Sequence, residues 1–530
     1  MNKRIITGFL ACVLWLTVAA QENDREQSGR KFSSLLGLLE LNYLDSVDLS
    51  VLTESAIKAM LKELDPHSVY IAQKDVEKTN EPLVGSYDGV GITYQIMRDT
   101  IRVISATPGG PSEEAGITGG DRIVCIDSEN ATGKTLDETF VRSRLRGKRG
   151  TEVAIGVLRF GHDSILTFKV TRDKIPIQTI VASYMLDENT GYIRLNRFSS
   201  QSAREFRAEL KKLKEEGMEN LVFDLRGNSG GYMNVAVDIA SEFLEKGKTV
   251  VYTQGLHSPR QDYVSDGNGL CRHGRIILLL DEGSASASEI VSGAVQDNDR
   301  GLLMGRRSYG KGLVQKSYFL PDGSQVRITT ARYYTPSGRC IQRPYGEGNE
   351  NYFREYSRRL KHGELVHADS IRFPDSLKYY TASGRLVFGG GGIMPDLFMA
   401  VDSSLQSAYY GQLVRKAVIT EYCVGFIDKQ RSNLKKRFRD ETAFIREFQV
   451  DDAMMEGLLR LADQREIARN DEQIAVSSLL IRTQVKASLA RSLYGLNAFH
   501  RVLGELDPML IRASEVIEDV DEYQRLTLGQ

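Results

Sequence analysis

The sequence predicts a multidomain protein of the α/β class, with a helical region towards each end of the chain. The chain has 530 residues, which is too long for a single hydrophobic core and predicts several domains. From about residue 177 to residue 397, strand-like and helix-like patterns alternate, which is typical of a largely parallel sheet covered by helices on both faces. Hydrophobic residues make up 41% of the chain, which is ordinary for a soluble globular protein. The formal net charge of -1 gives no reason to expect a nucleic-acid partner.

The first twenty residues have the pattern of a secretory signal peptide. Lys3 and Arg4 precede an apolar run, residues 5–20, which ends in two alanines and predicts cleavage near Gln21. The run is short for a transmembrane helix, which needs roughly 20 apolar residues. We therefore expect an exported protein of the periplasm or cell envelope. The alternative is membrane association through an uncleaved N-terminal segment, with residues 1–20 as the anchor.

Helical spacing of apolar residues marks the next region, residues 21–84. Leucines between Leu35 and Leu41, and apolar residues between Ala56 and Leu64, recur at intervals of three and four and predict helices across 28–80. We expect the second helix to end at Leu64, because Pro66 disfavours helical geometry at the residue before it.

A β-rich domain follows over residues 85–173. The runs Gly91–Ile96 and Ile101–Ile104 flank a short polar turn and predict a β-hairpin. A glycine- and proline-rich turn, a short helix at Ser112–Ala115 and a further strand at Glu152–Leu158 come after it. The frequent glycine turns and short strands predict a small domain of its own.

Strand, turn and helix repeat within the predicted core, residues 174–400. The apolar runs Leu221–Leu225 and Arg275–Asp281 are each closed by a turn of small residues, and helical patterns follow at Asn234–Phe243 and Ala287–Gln296. Active sites of parallel α/β sheets lie at the carboxyl ends of the strands, which is where both turns fall. Both turns are therefore candidate sites.

Two segments carry weaker patterns. Residues 340–392 are rich in glycine, proline and tyrosine and predict an irregular excursion from the core. Residues 401–530 are helical in pattern and heavily charged, and they contain no motif that assigns a role. A solvated helical bundle is the plainest interpretation of this last region, and an assembly or adaptor role is the alternative.

The first candidate for chemistry is the serine-rich segment Gly283–Glu289, which lies between an apolar strand and an apolar helix. A serine at the start of a helix lies beside free backbone N–H groups and the positive end of the helix dipole. An acyl-transfer nucleophile needs such surroundings for the oxyanion that forms during attack. Serine is also a preferred N-cap residue, so on this segment alone simple capping stays open.

A second candidate is Lys311, which stands between two glycines in the segment Tyr309–Gln315. Without bulky neighbours, such a lysine can be directed inward. A lysine that acts as a base must be neutral, so its pKa has to fall from ~10.4 to roughly 7–8, which desolvation can achieve. A phosphate-binding loop and an exposed turn are the alternatives, although the GxxxxGK[ST] pattern is absent because Gly312 follows the lysine.

The turn Asp224–Gly231 is a third candidate, because its glycines could let a backbone N–H approach a substrate carbonyl and complete an oxyanion hole. None of the seven histidines lies in a strand-end motif, and the chain has neither a GxSxG elbow nor an HExxH helix. A Ser-His-Asp triad is therefore less attractive than a Ser-Lys pair. The cysteines lack the spacing of a zinc site, and we expect neither a metal nor a cofactor.

Taken together, the three segments resemble those of the carboxyl-terminal processing proteases, also called tail-specific proteases. They read DLRGNSGG, GSASASE and YGKGLVQ in this chain, and the family's LDPHS stands at Leu64–Ser68. The resemblance extends over residues 30–400 or so, and it implies a serine peptidase with an α/β core of the crotonase/ClpP-like kind. No cofactor is implied.

The resemblance also implies a role for individual residues. Ser286 would be the nucleophile and Lys311 the general base, with Gln315 orienting the lysine through a hydrogen bond. Backbone N–H groups of Gly231 and Ala287 would form the oxyanion hole. The mechanism implied is formation of an acyl-enzyme followed by its hydrolysis.

The β-rich domain resembles a PDZ domain, which binds the C-terminus of a peptide as an added strand. Gly89, Val90, Gly91 and Ile92 would then form the loop that binds the terminal carboxylate. The function implied is a serine endopeptidase that recognises unstructured C-terminal tails of protein substrates and cleaves near them. A catalytically inactive tail-binding protein of the same fold is the first alternative, and an α/β enzyme acting on acyl thioesters is the second. A homo-oligomer, or an adaptor protein as partner, stays open.

Overall fold

The computed structural model describes residues 24–97, 99–371 and 373–528, so the predicted signal peptide lies outside the described residues. The described chain divides into two compact units. One unit contains the residues up to Val76 together with Lys316–Ile328, and the other contains Glu77–Gln315 together with the residues from Thr329 onward. Among the described residues, no helix has both the length and the apolar character needed to cross a bilayer.

The first unit is mainly helical. Its elements are α1 (residues 24–42), α2 (Leu49–Lys62) and β1 (Val69–Ile71), and it also contains most of the strand Leu313–Phe319 and the start of the strand Gln325–Tyr334. After α2 the Asp65 carboxylate accepts hydrogen bonds from the N–H groups of His67 and Ser68, at 2.8 and 2.9 Å, and this turn leads into β1. The expectation of helices throughout 28–80 was therefore wrong at β1. The second helix ends at Lys62 rather than at Leu64.

The chain continues through α3 (Gln73–Val84) into a β-rich domain. Its elements are β2 (Ser86–Gly89), β3 (Ile92–Met97), β4 (Thr100–Ala106), α4 (Pro111–Glu114), β5 (Arg122–Ile126), β6 (Glu129–Asn130), α5 (Glu138–Leu145), β7 (Glu152–Leu158), β8 (Leu166–Thr171) and β9 (Asp173–Pro176). Strands β3-β4-β5-β7-β8 form an antiparallel sheet in that order, and β2 pairs with β9. The predicted hairpin is confirmed, since β3 and β4 pair with Ile96 opposite Ile101. Buried isoleucines and valines that alternate along β4 and β7 form the core of this domain.

The α/β core contains a mostly parallel sheet. Its elements are β10 (Ile180–Met185), β11 (Thr190–Leu195), α6 (Ser202–Glu215), β12 (Asn220–Asp224), α7 (Met233–Ser241), β13 (Thr249–Gly255), β14 (Ser258–Val264), β15 (Ile276–Leu280), α8 (Ala287–Asp297), β16 (Leu302–Gly305), β17 (Leu313–Phe319), β18 (Gln325–Tyr334), α9 (Asn349–Phe353), α10 (Glu355–Lys361), β19 (Lys378–Tyr380), β20 (Leu386–Phe388) and β21 (Leu397–Phe398). The strand order of the sheet is β10-β11-β12-β15-β16-β21. Strands β10 and β11 pair antiparallel, and the later neighbours pair parallel.

The predicted strands at Leu221–Leu225 and Arg275–Asp281 are confirmed as β12 and β15. The segment 340–392 was predicted to be irregular, and this was only partly right, because α9, α10 and the hairpin β19–β20 lie within it.

Alternating apolar side chains give the parallel sheet two buried faces. Phe223 and Leu278 lie on the face that packs against α6, α7 and α8. Val222 and Leu279, which are adjacent to these two residues in the same strands, lie on the opposite face. This alternation is what a sheet with two covered faces requires, and it brings the carboxyl ends of β12 and β15 to one edge.

The C-terminal helices form a cluster of their own and also cover the second face of the sheet. They are α11 (Ala408–Arg415), α12 (Val418–Arg437), α13 (Glu441–Glu447), α14 (Asp452–Gln464), α15 (Asp471–Tyr494), α16 (Leu496–Gly504), α17 (Pro508–Glu518) and α18 (Val520–Leu528). Helices α11 to α16 share one apolar core. Leu510 and Val516 of α17, with Tyr523 of α18, pack instead against Val222 and Leu279 of the sheet.

Candidate active site

Ser286 lies where the chain leaves the sheet and begins α8. Strand β15 ends at Leu280, and Ala287 is the first helical residue. Ser286 has φ 55° and ψ -110°, a backbone conformation that is strained for a residue with a side chain. A sharp turn from strand to helix is the arrangement that presents a nucleophilic hydroxyl at the edge of a sheet. The N–H of Ala287 has no acceptor within the helix, because it belongs to the first turn.

Ser286 differs from the two other serines of its segment. Ser284 and Ser288 are fully buried (0% exposed), and their hydroxyls donate to the carbonyl oxygens of Leu225 and Asn228, each at 2.8 Å. Ser286 is only half-buried. Ser284 and Ser288 therefore fix the turn against the neighbouring segment, and Ser286 is the one of the three whose side chain is accessible.

Glu289 joins the serine segment to the lysine segment. Its carboxylate is fully buried, and its Oε2 accepts the N–H groups of Ser286 and Lys311 at 2.8 and 2.9 Å. Its Oε1 accepts the N–H of Gly310 at 2.6 Å and the hydroxyl of Ser308 at 2.5 Å. Burial raises the pKa of Glu289, and these donors oppose the increase because they stabilise the carboxylate. One carboxylate thus fixes the backbone at both candidate catalytic residues.

Glycines on either side of Lys311 allow its loop to approach neighbouring backbone. A Cβ on Gly310, which has φ 86°, would lie 3.0 Å from the backbone N of Gly392. A Cβ on Gly312 would lie 2.8 Å from another backbone N. Lys311 itself is half-buried, and its Nζ donates to Oε1 of Gln315 at 3.2 Å. The structure therefore brings together the lysine and the glutamine that the sequence singled out.

Tyr333, in β18, was not recognised from the sequence. Its hydroxyl lies 2.6 Å from the carbonyl oxygen of Lys311 and 3.1 Å from that of Ser286. Burial raises the pKa of Tyr333 well above its ordinary value, so the hydroxyl keeps its proton and acts as a donor. Its partners lie 22 and 47 residues earlier in the chain, and no local pattern could have indicated them.

Arg343 holds the lysine loop from the side of the excursion. Its guanidinium carbon lies 3.9 Å from the ring centroids of both Tyr309 and Tyr352, between the two aromatic rings. The guanidinium donates to the carbonyl oxygen of Tyr309 at 3.1 Å. The backbone N–H of Arg343 donates to the carbonyl oxygen of Gly310, also at 3.1 Å. The excursion therefore supports the loop that carries Lys311. Arg343 was not recognised from the sequence, because its partners are backbone atoms and aromatic faces.

The third predicted segment begins at a buried carboxylate. Asp224, at the end of β12, is fully buried and accepts hydrogen bonds from the hydroxyl of Tyr192 at 2.7 Å and the guanidinium of Arg226 at 2.6 Å. Burial opposes ionisation of Asp224, but Arg226 and Arg194 outweigh it and lower the pKa of this carboxyl to about 2. The turn therefore begins at an ionised carboxylate that is held in place by hydrogen bonds.

Glycines bring the end of the same turn against Ser286. A Cβ on Gly230, which has φ 98°, would lie 2.8 Å from the Cβ of Ser286 and 2.9 Å from the backbone N of Ala287. The carbonyl of Gly230 accepts the N–H of Phe198 at 3.1 Å, and the next bond of this short parallel bridge runs from Tyr232 to Phe198 at 2.9 Å. The N–H of Gly231, between these two bonds, therefore points away from Phe198.

The predicted carboxylate-binding loop lies in the β-rich domain and not in the cluster around Ser286. Gly89 ends β2 and Ile92 begins β3. The carbonyl oxygens of Val90 and Gly91 accept the N–H groups of Ser112 and Thr107, at 3.1 and 2.8 Å, so the loop is fixed to α4 and to the turn that precedes it. Gly91 has φ 74°, a conformation that favours glycine.

Comparison with known families gives matches over three parts of the chain. The pattern of peptidase family S41 matches residues 189–347, which include Ser286, Lys311 and Gln315. The pattern of the PDZ domain matches residues 102–159, which begin after the Gly89–Ile92 loop. Residues 409–495 match a family of unknown function.

Individual relatives carry related names. A carboxy-terminal-processing protease of Bartonella bacilliformis is 34% identical over 331 residues, which are 62% of this chain and 75% of the relative. The carboxy-terminal processing protease CtpB of Bacillus subtilis is 31% identical over 331 residues, 61% of this chain and 68% of the relative. The solved structure of a photosystem II D1 C-terminal processing protease is 30% identical and covers 59% of this chain and 83% of that chain, with a TM-score of 0.35. This chain therefore belongs to the carboxy-terminal processing proteases of peptidase family S41, and it is a serine-type peptidase with a PDZ domain.

Proposed function

We propose that this protease is an endopeptidase that recognises the C-termini of unstructured protein tails through its PDZ domain and cleaves near them by a Ser/Lys acyl-enzyme mechanism. Ser286 is the nucleophile and Lys311 the general base. The observation that carries the proposal is the buried Glu289 carboxylate, whose Oε2 accepts the N–H groups of both residues. A link of this kind is expected where two side chains from separate segments have to be held in register for proton transfer.

In the acylation step, the neutral amine of Lys311 takes the proton from Ser286 Oγ as this oxygen attacks the scissile carbonyl carbon. Negative charge develops on the carbonyl oxygen, and the N–H groups of Gly231 and Ala287 stabilise it. The lysine ammonium then gives its proton to the leaving amine, which departs and leaves the acyl-enzyme. The same lysine deprotonates the water that hydrolyses the ester and restores Ser286.

Gln315 and Tyr333 hold the lysine segment during these steps. Gln315 Oε1 accepts a hydrogen bond from Lys311 Nζ at 3.2 Å, which orients the amine without adding a charge beside it. A neutral acceptor suits a base that has to lose its proton, because a carboxylate in the same place would favour the ammonium form. The Tyr333 hydroxyl, protonated at all relevant pH values, fixes the main chain at Lys311.

The two proposed activities, tail binding and cleavage, are assigned to two different predicted domains. We assign tail binding to the PDZ domain, residues 85–173, with Gly89–Ile92 as the carboxylate-binding loop. Cleavage belongs to the peptidase core, residues 174–400. The basic start and the apolar run of residues 5–20 support export to the periplasm or cell envelope.

The proposal is tested by proteolysis of a loosely folded substrate with an apolar C-terminus. The protein is prepared without residues 1–20, and Ser286→Ala and Lys311→Ala are compared with it. Ser317→Ala and Lys316→Ala serve as matched controls, because both are exposed residues of β17 that follow Gln315 in the chain. Loss of cleavage in the first pair, but not in the second, supports the assignment. Retained cleavage in Ser286→Ala would remove it, and tail binding by the wild-type chain without any cleavage would favour a pure tail-binding protein.

The two catalytic variants also separate the roles. A fluorophosphonate probe labels an activated serine, so wild-type protein should be labelled at Ser286. Lys311→Ala should react far more slowly than wild type, while remaining folded. Equal labelling of both proteins would show that another group activates the serine.

A further inference from the structure

The guanidinium of Arg226 is shared between the core and the C-terminal helices. It donates to Asp224 through Nη2 at 2.6 Å, and to Asp507 through Nη1 at 3.0 Å and Nη2 at 2.6 Å. Its side chain is 13% exposed and that of Asp507 is 23% exposed, so the pair is largely shielded from water. A two-point contact between guanidinium and carboxylate fixes orientation as well as distance. Asp507 therefore fixes the side chain of Arg226 from outside the peptidase core.

Arg226 lies at the start of the turn that ends at Gly231. Its backbone N–H donates to Asp224 Oδ1 at 2.9 Å, and its carbonyl accepts from the guanidinium of Arg194 at 3.4 Å. The residues that follow form one hydrogen-bonded turn, in which the N–H of Gly227 donates to Asp281 Oδ1 at 2.8 Å and the N–H of Gly230 donates to Asn228 Oδ1 at 2.9 Å. Because these bonds connect the residues of the turn, a displacement of Arg226 is expected to shift the turn as far as the N–H of Gly231.

Asp507 is presented by a firmly packed element. It is the N-cap of α17, where its Oδ1 accepts the N–H groups of Met509 and Leu510 at 3.1 and 3.3 Å. Further along, the hydroxyl of Tyr523 lies 3.0 Å from both the backbone N and the backbone O of Ile276 in β15. That contact belongs to α18, and α17 itself packs on the same sheet through Leu510 and Val516, so both helices are anchored to the sheet that carries the turn and the serine.

We propose that Asp507 is a positioning residue for the oxyanion hole and acts through Arg226. The C-terminal helical region thereby supports catalysis, because it holds the turn Arg226–Gly231 in the geometry that stabilises the transition state. This inference rests on the proposed role of the Gly231 N–H. It predicts an effect on kcat rather than on KM, because an oxyanion hole binds the transition state more strongly than the substrate.

Truncation of the helical region cannot test the idea, since it would also uncover one face of the sheet. The test uses Asp507→Asn in the full chain, because asparagine caps a helix as well as aspartate does, while it removes the charge and replaces one of the two oxygens that accept from Arg226 by an NH2 group. Asp451→Asn is the matched control. Asp451 caps α14 by accepting the N–H of Met454 at 2.8 Å, and it lies within the C-terminal cluster.

We expect Asp507→Asn to lower kcat about tenfold with KM within about twofold of wild type, a part of the 10²–10³-fold effect of losing an oxyanion donor outright. Asp451→Asn should leave both parameters unchanged. The double variant Arg226→Gln/Asp507→Asn should be no slower than Arg226→Gln alone, because both changes break the same link. An unchanged kcat in folded Asp507→Asn, or an equal fall in Asp451→Asn, would overturn the proposal.

A second readout does not depend on catalysis. Amide hydrogen exchange of peptides that span residues 226–232 should be faster in Asp507→Asn than in wild type, and unchanged in Asp451→Asn. Equal exchange in all three proteins would also overturn the proposal. If Ser286→Ala proves active, the proposed chemistry fails, while the exchange experiment still decides whether Asp507 holds the turn.

Discussion

The backbone N–H groups of Ser286 and Lys311, which lie on different segments, both donate hydrogen bonds to Oε2 of Glu289, at 2.8 and 2.9 Å. The relative position of the two residues therefore depends on a carboxylate that takes no part in proton transfer. The Tyr333 hydroxyl also lies near both main chains, since it donates its single proton to the carbonyl oxygen of Lys311 at 2.6 Å and lies 3.1 Å from that of Ser286. The site is consequently rigid in its backbone and sensitive to changes in these buried polar groups.

Replacing Glu289 by glutamine should disable the enzyme and destabilise it. The amide group of glutamine would direct an N–H₂ towards two of the present donors, which would leave them without an acceptor. We expect a loss of about 1–3 kcal/mol in the free energy of unfolding and at least a tenfold fall in kcat. Denaturant unfolding and peptide cleavage measure the two effects. Glu215→Gln, an exposed change at the end of α6, is the control, and a Glu289→Gln protein that matches it in both assays would contradict the link.

Gly230→Ala should abolish most of the activity. Its Cβ would lie 2.8 Å from the Cβ of Ser286 and 2.9 Å from the N of Ala287, so the turn and the serine segment would have to separate. We expect kcat to fall about 10²-fold, as for the loss of an oxyanion donor. Gly227→Ala is the matched control, because Gly227 also has positive φ (69°) but an added Cβ there meets nothing within 4 Å. It should cost only backbone strain, of about 1–2 kcal/mol in stability. Similar kcat values for the two variants would refute this explanation.

Gln315→Glu should move the pH dependence of cleavage to higher pH. A carboxylate beside Lys311 Nζ favours the ammonium, so the pKa of the base rises and less neutral amine is present at a given pH. We expect the midpoint of the rising limb of kcat/KM to increase by about 1 unit, with activity recovered on the alkaline side. Gln254→Glu, at an exposed position of β13, controls for the added charge. A midpoint that does not move would argue against Lys311 as the titrating base.

His500 should make the folded protein less stable in mild acid. Burial, and then the neighbouring Arg194, lower the pKa of His500 to about 4. The unfolded chain, with a histidine pKa of about 6.5, binds the proton first, so stability falls as the pH decreases from about 6.5 towards 4. The melting temperature of His500→Gln should therefore fall less than that of wild type between pH 7 and pH 4.5. His162→Gln, a change of an exposed histidine, should behave as wild type, and identical slopes for all three proteins would contradict this prediction.

The residues of this site that could be predicted from the sequence are those that lie in short, recognisable segments. Ser286 and Lys311 each stand in a turn of small residues that directly follows or precedes an apolar strand, and such patterns can be recognised locally. Tyr333 could not be recognised, because a tyrosine in a strand has many ordinary explanations and its partners lie far away in the chain. Arg343 was missed for the same reason. Asp507 stands in a region without any motif, and only the fold brings it to Arg226.

The same reasoning applies to the fold. Strands β12 and β15 were predicted closely, because fully buried parallel strands are continuous apolar runs. Strand β1 was missed, because it has three residues and its partners Gln325–Arg327 are more than two hundred residues away. Pairing of that kind leaves little trace in a local pattern.

The packing of α17 and α18 on the sheet has a consequence for biosynthesis. All strands of the parallel sheet leave the ribosome before Leu510, Val516 and Tyr523 are made, yet these residues cover one of its two faces. The nascent chain therefore exposes one apolar face of the sheet until α17 and α18 have been synthesised and have packed on it.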